Sequence, residues 1–298
     1  MKYDIVIVGG SFAGLAAAMQ LVRAQRSVAV LDSNRPRNRF AKASQGVFCL
    51  DGQSPQQIRL TALTQLKQYP TFQLLEQAAV GITGEDNDFK VSCENGETLA
   101  TKKVIIASGI QDNLPAIPGI QTHWGKSVIH CPYCHGYELR NQQLGVLATS
   151  ELAFHQAAMI PDWGATILFT QGQFMPEGKV LEHLTIRGVQ METSPIVEVV
   201  GDGEQISHVR LQDGRRIPLG GLYVGPKVSV ESALVKQLDL DLADTPIGNI
   251  IKVDEFKQSS RNGIFVAGDL SNSMQNATFA ISSGTLAGVA CHRALVFG

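Results

Sequence analysis

Apolar and polar positions at the start of the chain follow two different periods. YDIVIVGG is an almost continuous apolar run, SFAGLAAAMQLVRAQ carries apolar residues at helical spacing, and SVAVLD is a second short apolar run. This order predicts a strand, a helix and a second strand, which together form the βαβ unit of a parallel sheet. Further along, KKVIIASG predicts a strand that ends at Gly109, and NGIFVAGD predicts one that ends at Gly268 and Asp269, before a long helix.

The same pattern recurs in the middle of the chain when residue 9 is aligned with residue 148. VLATSELAFHQAAM then matches IVGGSFAGLAAAMQ, and TILFTQ matches SVAVLD, without a gap. Two such units indicate two nucleotide-type domains of an α/β protein. The proline-containing connection after Gly109 suits a crossover between domains. We place the boundaries near residues 116 and 244, so that residues 1–115 and 244–298 form one Rossmann-like domain and residues 116–243 a second one inserted into it.

The first turn carries a glycine-rich fingerprint. The places of G-x-G-x-x-G are filled by Gly9, Gly10, Ser11, Phe12, Ala13 and Gly14. Gly9 permits the tight turn, Gly14 lets the helix pack closely on the strand, and Ser11 replaces the glycine that approaches a pyrophosphate. Asp32 ends the second strand, where an acid accepts hydrogen bonds from an adenosine ribose. Together they favour a dinucleotide site over an ordinary glycine-rich turn with a solvated aspartate.

The second copy of the unit has lost this fingerprint. Ala148, Thr149, Ser150, Glu151, Ala153 and Gln171 stand where the first copy has Gly9, Gly10, Ser11, Phe12, Gly14 and Asp32. Side chains there crowd a pyrophosphate, and a glutamate beside phosphates is repelled by them. The following stretch ILFTQGQF has neither an acid for NADH nor an arginine pair for NADPH. We therefore expect NADPH to be a poor electron donor.

Composition narrows the class of partner. Hydrophobic residues make up 44% of the chain and charged residues 17%, with a net charge of -2, so a soluble globular protein without affinity for nucleic acid or anionic membranes is expected. The first residues lack the apolar core of a signal peptide, and no apolar run suggests a membrane span. We expect a cytoplasmic location.

Among five cysteines, only Cys131 and Cys134 form a unit, in HCPYCHGYE, and the other three are expected to be core residues. A zinc site needs about four ligands, and no second Cys or His pair stands at suitable spacing, so no metal is expected. A structural disulfide across so short a loop removes little chain entropy and is unusual in the cytoplasm. Redox chemistry is the best remaining interpretation, because C-x-x-C thiols have a lowered pKa and exchange readily.

Four features in this order, VGGSFAG, ASGIQDNLP, CPYC and VAGDL, resemble the low-molecular-weight thioredoxin reductase family over the whole chain. CPYCHGYE is most similar to the branch that contains the dithiol oxidases of gliotoxin and holomycin biosynthesis. The lost second fingerprint also resembles the diflavin disulfide oxidoreductases of cyanobacteria. The resemblance implies two three-layer ββα domains, FAD in the first of them, and a homodimer.

The resemblance also implies roles for individual residues. Gly9, Gly14 and Asp32, with the rest of the fingerprint, would hold the ADP half of FAD, and Gly268 and Asp269 its pyrophosphate and ribityl chain. The start of the last helix, at Gln275, Asn276 and Ala277, would point at the flavin ring. Cys134 would face the flavin, and Cys131 would attack an external disulfide. His135 stands where the family carries an acidic proton donor; a solvated or core histidine is the alternative.

These expectations describe an FAD-dependent disulfide oxidoreductase that moves electrons between flavin and an external dithiol or disulfide. The partner would be a thioredoxin-like protein or a small dithiol, and the direction of electron flow stays open. If NADPH is not used, a carrier such as ferredoxin, oxygen, or a second flavin in the degenerate site must supply or remove electrons. NADPH-dependent thioredoxin reduction is the first alternative. A flavin-binding redox sensor without turnover is an alternative from another class.

Overall fold

The computed structural model describes residues 2–230 and 232–298. In chain order its strands are β1 (Lys2–Val8), β2 (Val28–Leu31), β3 (Phe72–Leu75), β4 (Ala79–Glu85), β5 (Asp88–Cys93), β6 (Thr98–Ile106), β7 (Gln111–Asn113), β8 (Val128–Ile129), β9 (Leu144–Leu147), β10 (Thr166–Phe169), β11 (Gln190–Glu192), β12 (Ile196–Asp202), β13 (Gln205–Leu211), β14 (Arg216–Pro218), β15 (Gly221–Val224), β16 (Lys227–Ser229), β17 (Leu242–Thr245), β18 (Gly248–Ile251) and β19 (Ile264–Val266).

Helices occur in both nucleotide-type units. They are α1 (Phe12–Arg23), α2 (Pro55–Leu66), α3 (Ile120–His123), α4 (Pro132–His135), α5 (Leu152–Met159), α6 (Gly178–Ile186), α7 (Ala233–Leu238) and α8 (Ala277–Phe297). Short 3₁₀ helices cover Arg37–Phe40, Ile160–Asp162 and Gly268–Ser271. The predicted α/β class with two Rossmann-like units is confirmed, because both copies of the repeated sequence form strand, helix and strand.

The first sheet has the order β3-β2-β1-β6-β5-β4, with β19 also paired to β6. Strands β1, β2, β3, β6 and β19 run parallel, and β4 and β5 form an antiparallel meander with the first half of β6. The continuous apolar run of β1 is explained by burial on both faces. Ile5 and Ile7 pack on the helices, while Val6 and Val8 pack on the side of the meander. The sheet therefore separates two hydrophobic cores.

Helix α8 packs on α1 at very close range. A Cβ on Gly284 would lie 2.0 Å from the carbonyl oxygen of Ala13, and one on Gly288 would lie 2.7 Å from that of Ala17. The small residues along α8 thus have a packing role, since larger side chains would force the two helices apart. This contact brings the start of α8 beside the glycine-rich turn that precedes α1.

Helix α8 corrects one expectation from the sequence. With 21 residues and a mean hydropathy of 1.2 over its best window, it is long and apolar enough to cross a bilayer. Its sequence does not read as one apolar run, because glycine and serine interrupt the strongly apolar residues. One third of that window is buried inside the protein, against α1 and the sheet, where an apolar helix of an α/β domain belongs.

The second domain repeats the design around the parallel order β11-β10-β9-β15-β8. Strands β12, β13 and β14 form an antiparallel sheet whose apolar residues close one core of this domain. On the opposite face, helices α5 and α6 cover a second core that includes Ile129, Val146 and Tyr223. The carboxyl ends of β8, β9 and β15 therefore lie side by side, at the edge where ligands bind in such sheets.

The chain passes between the domains through an antiparallel strand pair, β7 and β16. Val230, Leu234 and Leu238 then pack in a core of the first domain, and α7 covers β4. The packing therefore places the return to the first domain near residue 227, whereas the sequence pattern places it near 244. Sequence periodicity missed this crossing because β16 is only three residues long and α7 only six.

Candidate active site

The glycine-rich turn is shaped by close backbone approach. Gly9 has φ 110°, and a Cβ there would lie 2.2 Å from the carbonyl oxygen of Ala107. A Cβ on Gly14 would lie 1.8 Å from the oxygen of Gly9, and one on Gly10 2.6 Å from Oδ2 of Asp32. Since no side chain fits at these positions, only glycine allows the turn, α1 and the neighbouring strands to approach this closely.

The amino end of α1 provides free N–H groups. Ser11 is the N-cap of α1, and among the described residues its side chain caps no N–H of the helix. Phe12 and Ala13 are buried in the first turn of α1. Such an end carries a partial positive charge and attracts phosphates.

Asp32 lies at the end of β2, directly beneath this turn. One of its carboxylate oxygens pairs with Arg59, and the other accepts a hydrogen bond from the N–H of Asn34 at 3.0 Å. Arg59 also donates through Nε to the carbonyl oxygen of Gly10 at 2.9 Å. The arginine thus ties the acid to the glycine turn.

Arg37 joins three segments beside the domain crossing. Its Nε donates to Asp112 at 2.9 Å, and its Nη1 donates to Asp269 at 3.2 Å and to Oε1 of Gln275 at 2.7 Å. Burial raises the pKa of Asp269, and Arg37 partly offsets that rise. The guanidinium is therefore a half-buried positive charge held by β7, by the turn after β19 and by the start of α8.

The start of α8 presents polar groups to the same region. Asn276 is the N-cap, and its side chain accepts from the N–H of Phe279 at 2.7 Å. Gly268 has φ 75°, and a Cβ on it would lie 3.0 Å from the Cβ of Ala13. The turn after β19 therefore lies against the first turn of α1. Nε2 of Gln275 is buried and has no hydrogen-bond partner among the described residues. Ala277 begins the helix.

Cys131 and Cys134 lie at the two ends of the first turn of α4, just beyond β8. Both are half-buried, and neither is joined in a disulfide within the described part of the chain. A Cβ on Gly136 would lie 2.7 Å from the ring of Trp163, so the end of α4 packs directly on that ring within the second domain. Of the other cysteines, Cys93 and Cys291 are buried as expected, but Cys49 is exposed, because it belongs to a surface loop.

The two thiols have opposite electrostatic surroundings. The pKa of Cys131 is lowered to about 7. The hydrogen bond from Cys134 lowers it most, burial opposes the change, and the backbone N–H groups of Cys134 and Tyr133 and the charge of Arg37 contribute the rest. The pKa of Cys134 is raised, because it donates that hydrogen bond and is buried beside a neighbouring thiolate. Cys131 is therefore the thiolate of the reduced pair near neutral pH.

Two histidines flank the pair. Burial lowers the pKa of His135, although a hydrogen bond to the backbone of Cys131 opposes the change. Burial and Arg37 lower the pKa of His130 to about 3. Both imidazoles are hence neutral near neutral pH. His135 also has a buried Nδ1 that lacks a partner among the described residues, so it can take or give a proton next to the thiols.

The degenerate copy lies across a cavity of about 280 Å³ from the start of α8. Thr149 donates through its hydroxyl to the carbonyl oxygen of Gly225 at 2.8 Å, and Gln171 accepts through Oε1 from the N–H of Ile196 at 2.8 Å. Glu151 is exposed at the N-cap of α5. Residues that line the cavity include His130, Pro132, Ser150, Met159, Lys227 and Gln275.

Comparison with protein families gives the identity of this arrangement. The model of the pyridine nucleotide-disulphide oxidoreductase family matches residues 3–284, which include both nucleotide-type units and the cysteine pair. The chain belongs to this family. It is accordingly a flavin disulfide oxidoreductase of the thioredoxin reductase type, as the resemblance of its motifs indicates.

Individual relatives cover almost the whole chain. Thioredoxin reductase tcpT of Claviceps purpurea is 32% identical over 96% of this chain and 92% of its own. The structure of an oxidoreductase from Agrobacterium tumefaciens is 39% identical, covers 100% of this chain and 99% of its own, and has a TM-score of 0.95. HlmI is 29% identical with a TM-score of 0.90, over 99% of this chain and 93% of its own.

The family implies FAD, and the residues of the first domain fit it. The glycines let the turn pack tightly between α1 and the strands, α1 begins with N–H groups that its N-cap side chain does not bind, and Asp32 offers carboxylate oxygens beneath them. The unpartnered Nε2 of Gln275 is a donor suited to a polar ring atom. FAD would supply a two-electron acceptor and donor at this place.

Two arginines of this site were not found from the sequence. Arg59 lies in the middle of α2, where a basic residue normally faces water, so its contact with Asp32 could not be foreseen. Arg37 belongs to the stretch RPRNR, which begins three residues after Asp32, and a cluster of arginines following the acid of a dinucleotide fingerprint was a usable signal. Its partners Asp112 and Asp269 are far away in sequence.

Asp32→Ala is expected to weaken FAD binding by roughly 10- to 100-fold, because a hydrogen bond to a charged group contributes about 1.5–3 kcal/mol. Retention of FAD during gel filtration and the dissociation constant from flavin fluorescence measure the effect. Asp32→Asn keeps the shape and one acceptor and should lose less. Asp244→Ala, at an exposed carboxylate in β17, serves as the control. Equal FAD affinity in all four proteins would contradict this role of Asp32.

Alkylation of Cys131 in the reduced protein is expected to reach half its maximal rate at pH about 7. The thiolate is the reactive form, so the rate falls as the pH drops below this value and levels off above it. Iodoacetamide labelling followed by mass spectrometry of the Cys131 peptide gives the profile. A rate that rises only near the ordinary thiol pKa, about 8.5, would show that Cys134 does not stabilise the thiolate.

Proposed function

We propose that this protein exchanges electrons between FAD and an external dithiol or disulfide through Cys131 and Cys134, and that NADPH is a poor donor. The observation that carries the proposal is the position of the pair. Its thiols lie in the field of Arg37, which itself contacts Asp269 and Gln275 of the proposed flavin region. A metal site or a structural disulfide would not require the cysteine pair to lie near the proposed flavin region.

The exchange reaction follows from the two thiol environments. In the oxidising direction, an external thiolate attacks the sulfur of Cys131 in the disulfide and releases Cys134 as the leaving thiolate. The second thiolate of the same external dithiol then attacks the external sulfur that is bonded to Cys131, which forms the external disulfide and releases Cys131 as a thiolate stabilised by Cys134. The external product is a disulfide, and the pair holds the two electrons. The reducing direction is the reverse.

His135 is the proton carrier that we propose beside the pair, because its imidazole is neutral near neutral pH and serves both directions of the exchange. The resemblance of CPYCHGYE to the gliotoxin and holomycin branch favours oxidation of a dithiol. Reduction of a thioredoxin-like protein is the second candidate, and relatives named thioredoxin reductase favour it. The cavity of about 280 Å³ has the size of a small ligand.

The contacts of the second copy support the low use of NADPH. The amide oxygen of Gln171 already accepts a hydrogen bond from the N–H of Ile196, and the hydroxyl of Thr149 already donates one to the carbonyl oxygen of Gly225, so both side chains are held by the protein. Glu151 places a negative charge at the N-cap of α5, where a phosphate would bind. We propose ferredoxin, oxygen or a second flavin as the other electron partner, and a cytoplasmic homodimer as the functional form.

Anaerobic addition of dithiothreitol tests the proposal against the alternative of a non-catalytic flavin sensor. The proposed function requires that the dithiol bleaches the flavin of the purified protein, and that an added disulfide restores its colour. The variant Cys49→Ser should behave like the parent, since its thiol is at the surface loop. A flavin that dithiol leaves yellow, but that dithionite bleaches, would refute electron exchange through the pair.

A further inference from the structure

Arg59 carries hydrogen-bond donors that the protein does not use. It lies on α2, and its side chain is 13% exposed beside that of Asp32, which is 9% exposed. Its Nε donates to the carbonyl oxygen of Gly10 at 2.9 Å, and its Nη2 pairs with Oδ2 of Asp32. Its Nη1 has no acceptor among residues 2–230 and 232–298, and it remains accessible to solvent.

The two bonds of Arg59 occupy one edge of its guanidinium. A guanidinium is planar, and Nε–H and one hydrogen of Nη2 form its side edge. That edge is directed at Gly10 and Asp32, because both acceptors are bonded there. The end edge, formed by Nη1 and the second hydrogen of Nη2, therefore keeps two donors for an oxygen atom outside the protein.

These free donors lie within the nucleotide fingerprint. Gly10 belongs to the glycine-rich turn, and a Cβ on it would lie 2.6 Å from Oδ2 of Asp32. Asp32 directly follows β2, where an acid accepts hydrogen bonds from an adenosine ribose. Asn34 and Arg59 hold one oxygen each of its carboxylate, which fixes the acid in place. Because a ribose hydroxyl both donates and accepts, an acid beside a free guanidinium edge matches it in both respects.

We propose that Arg59 binds the adenosine ribose of FAD together with Asp32. Asp32 accepts a hydrogen bond from a ribose hydroxyl, and the free edge of Arg59 donates to a ribose oxygen. Arg59 is then a second side chain, besides Asp32, that determines the affinity for the adenosine half of the cofactor. The inference rests on the FAD site of the proposed function, but not on electron exchange through Cys131 and Cys134.

Arg59→Lys tests this role without leaving Asp32 unpaired, because lysine keeps the charge but lacks the planar fork of donors. The dissociation constant of FAD, measured by flavin fluorescence, should rise about tenfold, which is the effect of one hydrogen bond to a charged group. Arg23→Lys replaces an exposed arginine at the end of α1, whose guanidinium bonds Tyr69, and should keep the parent value. An unchanged dissociation constant in Arg59→Lys would overturn the proposal.

A readout specific for the ribose separates cofactor binding from a purely structural role of Arg59. Displacement of FAD by ADP is compared with displacement by 2′,3′-dideoxy-ADP, which lacks both ribose hydroxyls. The parent should prefer ADP by roughly tenfold or more, and Arg59→Lys should lose most of this preference. Equal weakening of both ligands in Arg59→Lys would show that Arg59 only holds the glycine turn or contacts a phosphate, and would overturn the ribose contact.

A measurement on the parent protein covers the case in which Arg59→Lys does not fold. Phenylglyoxal modifies accessible guanidinium groups, and mass spectrometry of the peptides gives the rate at Arg59 in the flavin-free chain. Added FAD should protect Arg59 severalfold and leave Arg23 unchanged, and equal labelling of Arg59 with and without FAD would contradict the proposal. Protection of Arg59 together with a flavin that dithiol does not bleach would reject electron exchange alone.

Discussion

Cys131→Ser is expected to slow dithiol-driven reduction of the flavin by roughly a thousandfold or more, because removal of a covalent nucleophile leaves only the uncatalysed exchange. Cys131 is the thiol with the lowered pKa, and its sulfur is the one an external thiolate can attack and later displace. Stopped-flow mixing of the oxidised protein with dithiothreitol, without oxygen, measures the rate through flavin absorbance.

The controls separate the pair from general effects of cysteine replacement. Cys134→Ser should cause a loss of similar size, since without Cys134 the disulfide cannot form. Cys49→Ser and Cys93→Ser remove an exposed and a buried cysteine outside the pair, and both should react at the parent rate. If Cys131→Ser and Cys134→Ser are reduced as fast as the parent, the two thiols are bystanders.

NADPH is expected to bleach the flavin at least about tenfold more slowly than dithiothreitol at equal micromolar concentration. Like charges at a few ångströms cost on the order of 1 kcal/mol or more in a partly dry site, and Glu151 occupies the N-cap of the helix where phosphates would bind. A cost of about 1 kcal/mol lowers the affinity roughly fivefold, and about 1.4 kcal/mol lowers it tenfold. The occupied Gln171 and Thr149 side chains add to it.

The charge of Glu151 can be removed to test the low affinity for NADPH. Glu151→Gln should improve the apparent affinity for NADPH by up to roughly tenfold and leave reduction by dithiol unchanged. Glu177→Gln, at the exposed N-cap of α6, is the matched control and should change neither. Flavin bleaching by micromolar NADPH as fast as by dithiol in the parent would contradict the prediction.

The sequence predicts the fold well where one local pattern determines it. The βαβ unit around Gly9 and Asp32 and its repeat at Ala148 are short-range signals, and the structure forms both units. The return crossing near residue 227 could not be predicted, because β16 gains its partner β7 only through long-range pairing. The exposure of Cys49 depends likewise on a loop whose course follows from tertiary contacts.

The candidate site likewise has features that follow from sequence spacing and features that depend on tertiary contacts. The positions of Cys131 and Cys134 on one helical turn follow from their spacing, and so does the expectation of a redox pair. Their different pKa values depend on Arg37 and on the direction of one hydrogen bond, which are tertiary features.

Anaerobic reductive titration with dithionite tests the central claim most directly, because it counts the electrons that the protein stores. A flavin and a redox-active disulfide each accept one electron pair, so the parent should take up about two pairs per chain before excess reductant appears. Cys131→Ser should take up about one. Uptake of a single pair by both proteins, with the parent oxidised beforehand by a disulfide, would contradict electron exchange through Cys131 and Cys134.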